Sequence, residues 1–215
     1  MRYLKIGDWS SAVHDWTLCA FSISEPKYRR STVTVPGSDG VIDLSDALDG
    51  TVHYDPRKIT ARLENSCGTR QQRNVWISHL VNALDGTVQE IELPDDHTRY
   101  MTGRIRVAVQ YNDNAHASVQ VTADVDPWKY RKAETVHEIY TEEGEHSYDI
   151  RMTDRRPVSP VFHVVNVYES LMIGTHEITE PGLYQFHDIV FRHGVNAVTI
   201  SGLAAIRVKY REGVL

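Results

Sequence analysis

One stretch of the chain breaks the pattern of all the others. Between Gln71 and Leu84, the residues Val75, Trp76, Ile77, Leu80, Val81 and Leu84 recur close to an i, i+3, i+4, i+7 spacing. That spacing predicts one amphipathic helix with one buried face. Asp85-Gly86 stops it, since glycine enters the left-handed conformation of a helix end at little cost. Thr87 to Leu93 then alternates apolar with polar, the mark of a half-buried strand. Pro94-Asp95-Asp96-His97 turns the chain, and Tyr100 to Val109 returns as a second strand. Elsewhere the patterning is almost all of period two. A lone helix in such a chain is expected to plug or flank one end of a sheet.

Length and charge limit the alternatives. The 215 residues suffice for one large β domain or two smaller ones. The longest apolar runs are far too short to cross a bilayer, so no membrane role is expected. The start, Met1 to Gly7, reads as a strand rather than a secretory signal. The formal charge of −6 is spread evenly. Residues 1–130 hold 14 Lys and Arg against 17 Asp and Glu, and residues 131–215 hold 9 against 12. A mildly acidic surface without a basic block argues against tight nucleic-acid binding, yet suits a surface past which nucleic acid slides. The two cysteines, Cys19 and Cys67, cannot make a disulfide framework. Cys19, beside Leu18, Ala20 and Phe21, reads as a small buried hydrophobe, and a reduced, cytoplasmic site of folding follows.

In chain order, Leu4 to Ile6 and Trp16 to Ile23 predict the first strands. A polar loop follows at Pro26 to Arg30, in which Arg29-Arg30 reads as a solvated edge. Thr32 to Val35 is a β-branched strand ended by the turn Pro36 to Gly40. That turn lacks both a GxGxxG pattern and a Lys-Ser pair, so it is not read as a phosphate loop. Val41 to Leu44 and Ser45 to Leu48 come next, with Asp49-Gly50 as another turn. Arg57 to Glu64 alternates again and leads through the polar loop Asn65 to Arg70 into the helix.

The order of these pieces carries a family resemblance. Pro36-Gly37-x-Asp39-Gly40-x-x-Asp43-Leu44, then Ala47-Leu48-x-Gly50, then Tyr54-x-x-Arg57-x-Ile59 resembles the N-terminal domain of the distal tail protein of long-tailed siphophages. The succession continues through Leu84-Asp-Gly86, Pro94-Asp95-Asp96 and Tyr100-x-x-Gly103-Arg104, and closes on Asp126-Pro127-Trp128-Lys129. The resemblance covers residues 1–130. It implies a β-sandwich or split-barrel-like domain with one α-helix and a projecting hairpin, assembled as a homohexameric ring. Such a ring is a baseplate hub at the virion tail tip. It joins the tail tube protein to tail-tip, tail-associated or receptor-binding proteins, and DNA leaves through its channel without specific binding. A ring needs two different patches per subunit that fit each other. The hairpin Val88–Val109, with Glu92, Asp95, Asp96, Tyr100 and Arg104, is the expected ring interface.

Asp126-Pro127-Trp128 reads as a domain boundary, with Trp128 and Tyr130 as aromatic anchors. Residues 131–215 read as a second all-β domain. Strand segments lie at Thr135–Tyr140, His146–Met152, Val161–Val167, Leu171–Ile173, Leu183–Phe186, Ile189–Arg192, Ala197–Ile200 and Ala205–Tyr210. Strands about every ten residues with Gly or Pro between them predict a sandwich. Phe191-x-x-Gly194-x-Asn196-x-x-Thr199-Ile200-x-Gly202, with Ile206-x-Val208-x-Tyr210, resembles the galectin-like C-terminal domain of distal tail proteins. Gly194 and Asn196 fit a tight hairpin, since both tolerate positive φ.

Two other classes stay open. A carbohydrate-binding module acting in host-surface adhesion would use Tyr184, His187 and Arg192 as glycan contacts, with Phe186 and His193 beside them. No tryptophan lies in residues 131–215 and the sugar-binding motif of true galectins is absent, so lectin activity does not follow from the fold. A hydrolase would need facing carboxylates. The 11 histidines form no HExxH or HxH, no CxxC pair exists, and no GxSxG elbow occurs. His14-Asp15, as neighbours on a strand, would point to opposite faces. No catalytic residue, metal ligand or cofactor is expected.

Overall fold

The computed structural model describes residues 2–37, 39–47, 50–168 and 170–215. Ser38 of the expected turn Pro36 to Gly40, Leu48 at the end of the segment Ser45 to Leu48, and Asp49 of the turn Asp49-Gly50 lie outside them. The chain is mainly β with one α-helix, and it divides into two compact units, Met1–Pro127 and Trp128–Leu215.

The first unit contains β1 (Lys5–Ile6), β2 (Trp9–Ser10), β3 (Thr17–Ile23), β4 (Thr32–Val33), β5 (Ile42–Asp43) and β6 (Arg57–Asn65). Helix α1 (Arg70–Leu84) follows, then β7 (Val88–Leu93), β8 (Asp96–Asn112) and β9 (Ala117–Val125). Seven strands form one antiparallel sheet in the order β2-β1-β7-β8-β9-β6-β3. Strict alternation in β6 turns Ile59, Ala61 and Leu63 inward, opposite Ala123, Val121 and Val119 of β9. Against them α1 lays Ile77, Leu80 and Leu84, each contributing about 1.5–3 kcal/mol by burial. A capping box starts the helix: Gln72 N–H donates to Thr69 Oγ1 at 3.3 Å, and Thr69 N–H donates to Gln72 Oε1 at 2.8 Å. Gly86, at φ +75°, ends it as expected.

Three readings in this unit are corrected. Val75 is 50% exposed, because the buried stripe runs through Arg73, Ile77, Leu80 and Leu84, and position 75 faces the other way. Cys19 is exposed, since the β3–β6 register shifts between Leu18 and Ala20. That bulge inserts Cys19 as an extra residue and reverses the inside-outside parity that alternation alone assigns. His14 and Asp15 lie in a turn, not on a strand.

Gly103 sits in β8 opposite Val125 of β9, where the backbones come close. An added Cβ would lie 2.2 Å from Asp124 O and 2.7 Å from Val125 Cα. Gly103→Ala is therefore expected to destabilise the first unit by about 2 kcal/mol through overpacking that the β9 backbone must relieve together with the Val125 side chain. Urea unfolding of the full chain, followed by tryptophan fluorescence, measures this. A change under about 0.5 kcal/mol would show that β8 and β9 part easily there.

The second unit is a sandwich of two four-stranded antiparallel sheets. Its strands are β10 (Lys129–Arg131), β11 (Thr135–Tyr140), β12 (Glu145–Met152), β13 (Val161–Val167), β14 (Leu171–Ile173) and β15 (His176–Ile178). They continue with β16 (Gly182–Gln185), β17 (Gly194–Ser201), β18 (Ala204–Tyr210) and β19 (Gly213–Val214). The sheets run β11-β18-β13-β16 and β12-β17-β14-β15, and β10 pairs with β19. Phe162, Val164, Ile206 and Val208 from one sheet meet Ile150, Met152, Leu171 and Ile200 from the other in one core. Two expectations fail here. Ile189–Arg192 makes only a single bridge, Val158 to Phe191. Asn196 lies inside β17 and takes no positive φ; instead its side chain staples the loop before it, accepting from Arg192 N–H and donating to Arg192 O, both at 2.8 Å.

Candidate assembly surfaces

The hairpin expected at the ring interface is integral to the sheet. β7 pairs with β8 on one edge and with β1 on the other, Ile6 opposite Ile91. Glu92 and Tyr100 are 6% and 7% exposed, so their side chains belong to the chain's own interior and do not form part of its surface. Glu92 Oε1 meets His97 Nδ1 at 2.8 Å and Lys5 Nζ lies 3.8 Å from its other oxygen. The acidic tip stays at the surface, where Asp95 pairs with Arg2 and Asp96 bonds the backbone and hydroxyl of Thr98. Arg104 is exposed and donates to Gly86 O. It lines a shallow depression of about 260 Å³ with Lys58, Arg106, Asp85 and Asp124. Cations and carboxylates alternate there, which leaves no purely basic patch.

A different segment has the properties of an unpartnered arm. Among the described residues from Ser24 to Pro56, none is buried. Backbone bonds zip this excursion from β3 to β6 into a long, narrow ladder. Ser24 N–H donates to Lys58 O, Asp55 N–H to Lys27 O, and Arg29 N–H to His53 O. Farther out Leu44 N–H donates to Ser31 O, and Val33 of β4 stands opposite Ile42 of β5. At the root, Arg57, 6% exposed, donates from Nε to Ser24 O at 2.8 Å. Tyr28, Val33, Val35, Val41, Ile42, Leu44 and Val52 are all between 39% and 53% exposed. An isolated two-stranded ribbon is marginal in water. So many apolar side chains on one ribbon mark a surface built to be covered. In sequence this segment reads only as short strands and turns, since alternation does not say whether either face meets a core.

The glycan candidates are placed as follows. Tyr184 is half-buried; its hydroxyl donates to Glu180 O at 2.7 Å and its ring stacks on Phe186 with centroids 6.3 Å apart. Phe186 also carries His176 at 4.0 Å, and His176 Nε2 meets Asp188 at 2.8 Å, which holds the Asp188 carboxyl below its usual range. His187 and Arg192 are exposed. Tyr184 thus spends a ring face and its hydroxyl within the protein. Among the described residues, no group of three or more His, Cys, Asp or Glu is placed to hold a metal ion, and no helix is long and apolar enough to cross a membrane.

No protein-family model matches the chain, and neither does any curated protein sequence. Among solved structures it is similar to the Dit protein of phage SPP1, described as a paradigm of hub adsorption apparatus in phages infecting Gram-positive bacteria. The two align with a TM-score of 0.74 over 99% of each chain, at 14% sequence identity. From its first strand to its last, this chain has the fold of that phage protein.

Proposed function

We propose that the protein is a structural hub of a phage tail, assembled as a homohexameric ring at the tail tip. The observation that carries this reading is the whole-length likeness to a hub adsorption protein, which spans both units rather than one reusable module. The exposed apolar arm supports it from an independent direction. In this reading residues 1–130 make the ring and leave a channel through which DNA passes without specific binding. The ring joins a tail tube protein on one side to tail-tip or receptor-binding proteins on the other. The galectin-like domain, residues 131–215, faces outward as a docking platform. The work done is geometric, and no bond-making step is assigned.

A closed ring is heterologous, so each subunit offers a protruding patch and a receiving one. The arm between β3 and β6 supplies the protruding patch better than the hairpin Val88–Val109 does. Ile42→Asp tests this cleanly. Ile42 is 52% exposed and touches no core, so the substitution is expected to leave subunit stability within about 0.5 kcal/mol. Burying an unpaired carboxylate in an interface costs several kcal/mol, so the ring is expected to dissociate. Light scattering behind a sizing column reads both: a hexamer mass for the native chain, a monomer mass for Ile42→Asp. A native chain that stays monomeric at high concentration overturns the ring. A variant that keeps the hexamer mass moves the interface away from the arm.

A further inference from the structure

The turn between β2 and β3 packs against α1 and leaves a cavity of about 400 Å³. Three of the four tryptophans in the sequence, Trp9, Trp16 and Trp76, line it together with His14, Asp15 and His79. The turn is pinned: Leu4 N–H donates to Ser11 Oγ, Ser11 N–H to Leu4 O, and Trp16 N–H to Ser11 O. Trp16, 4% exposed, forms a fixed wall, and the His14 ring stacks on Trp9 with centroids 5.7 Å apart. Among the described residues Asp15 alone, apart from glycines, has a positive φ, +57°. A non-glycine residue held in that conformation by its surroundings is a frequent mark of a binding or catalytic site. Its carboxylate makes no hydrogen bond or ion pair within the described residues.

The lining dictates the ligand class. No lysine or arginine lines the cavity, so an anion would meet only a carboxylate. A sugar would need several fixed polar groups to read its hydroxyls, and the side chains offer one acid, two imidazoles and the donor-only indole N–H groups. Val13, Leu80 and Ala83 complete the lining, and the exposed Asp15 carboxylate adds a charge that a cation can pair with and an apolar molecule cannot. Indole faces, by contrast, attract cations through the ring quadrupole, most of all quaternary ammonium groups. The volume suits a small molecule or one anchoring side chain. We propose that this cavity is an aromatic cage for an organic cation of the alkylated ammonium type, with Asp15 as its counter-charge. This site does not depend on the hub reading.

The test is titration of the full chain with choline and with 3,3-dimethylbutan-1-ol, its neutral isostere, by tryptophan fluorescence and calorimetry. Choline is expected to saturate and to bind about tenfold more tightly than the alcohol. Asp15→Asn is the decisive variant, because asparagine tolerates the left-handed backbone and the fold is kept. It is expected to weaken choline about tenfold and leave the alcohol unchanged. Equal binding of the two probes, no saturation by choline, or an unaffected Asp15→Asn variant each overturns the proposal. Titration with N-acetyl-arginine amide and N-acetyl-lysine amide separates the sources. Tighter binding of either than of choline assigns the cage to a partner's side chain, and the reverse order to a free ammonium compound.

Discussion

Arg73→Ala is expected to destabilise the first unit by about 4 kcal/mol. Arg73 sits in the first turns of α1 with no exposed surface, on the same face as Ile77 and Leu80. Its guanidinium donates from Nε to Asn112 Oδ1 at 3.2 Å, and from one terminal nitrogen to Cys67 O at 3.3 Å and Gly68 O at 2.7 Å. The other terminal nitrogen donates to Asp113 O at 2.7 Å. One side chain therefore ties the loop entering the helix to the far end of β8 and the turn after it. The charge is met by carbonyl dipoles, with no carboxylate bonded to it among the described residues. Truncation strands three carbonyls and an amide at about 1–3 kcal/mol each if none is rehydrated, and opens a cavity besides. Partial rehydration brings the expected loss to the figure given. Arg73→Lys is expected to recover less than half, because an ammonium cannot reach carbonyls on two sides with one planar fork. Urea unfolding followed by tryptophan fluorescence reads the first unit, where Trp9, Trp16 and Trp76 lie. A lysine variant as stable as the native chain would show that charge alone, without the fork, suffices.

Arg73 also marks where sequence reasoning stops. The helix was legible from its apolar period, its Asp85-Gly86 end and the strand that follows. Its buried face was misdrawn, because an arginine near a helix start reads as solvated and Val75 reads as core. Nothing local says that four acceptors converge on position 73 from segments some forty residues apart. Cys19 failed for a related reason. Period two assigns faces only while the register is unbroken, and a single bulge reverses every later assignment along the strand. In the second unit the spacing of turns was enough to predict a sandwich. The short strand His176–Ile178 was missed, since three residues carry too little alternation to register.

The candidate site was less legible than the fold, and for a physical reason. An interface is defined by what a side chain lacks in the monomer, and sequence does not show that lack. Glu92 and Tyr100 looked like exposed positions of an acidic hairpin, yet β1 covers one edge of β7 and encloses them. Val33 and Ile42 looked like ordinary strand residues, yet neither face of their ribbon meets a core. His14 and Asp15, read as pointing apart on a strand, line one cavity because Ser11 folds the turn back onto Leu4. In each case a tertiary contact decides exposure, and the local pattern is the same either way.

Glu212→Gln is the counterpart in the second unit, expected to remove about 3 kcal/mol at pH 7 and little of that in strong acid. Glu212 is 3% exposed next to β19. One carboxylate oxygen accepts from Thr153 Oγ1 and Asp154 N–H, both at 2.7 Å, and from Thr153 N–H at 3.1 Å. The other accepts from Thr135 Oγ1 at 3.3 Å, and a terminal nitrogen of Arg131 lies 3.6 Å from the first oxygen. Arg131 in turn forks onto Asp154, at 3.2 and 3.0 Å. Burial is the strongest influence on Glu212 and by itself would raise its pKa. The hydrogen bonds from Thr153 and Asp154, with the charge of Arg131, outweigh it and hold the pKa below the unfolded value of 4.5. A carboxyl lowered on folding contributes stability that is fully present above the unfolded value. The contribution is lost as pH falls from about 4.5 through the folded value. Glutamine keeps the shape and loses the charge, so it mimics the protonated acid, and the gap between native chain and variant must close in that window. Urea unfolding followed by circular dichroism at pH 7 and pH 3 measures the gap directly. A gap of equal size at both values would mean that Glu212 holds the C-terminal strand by shape rather than by charge.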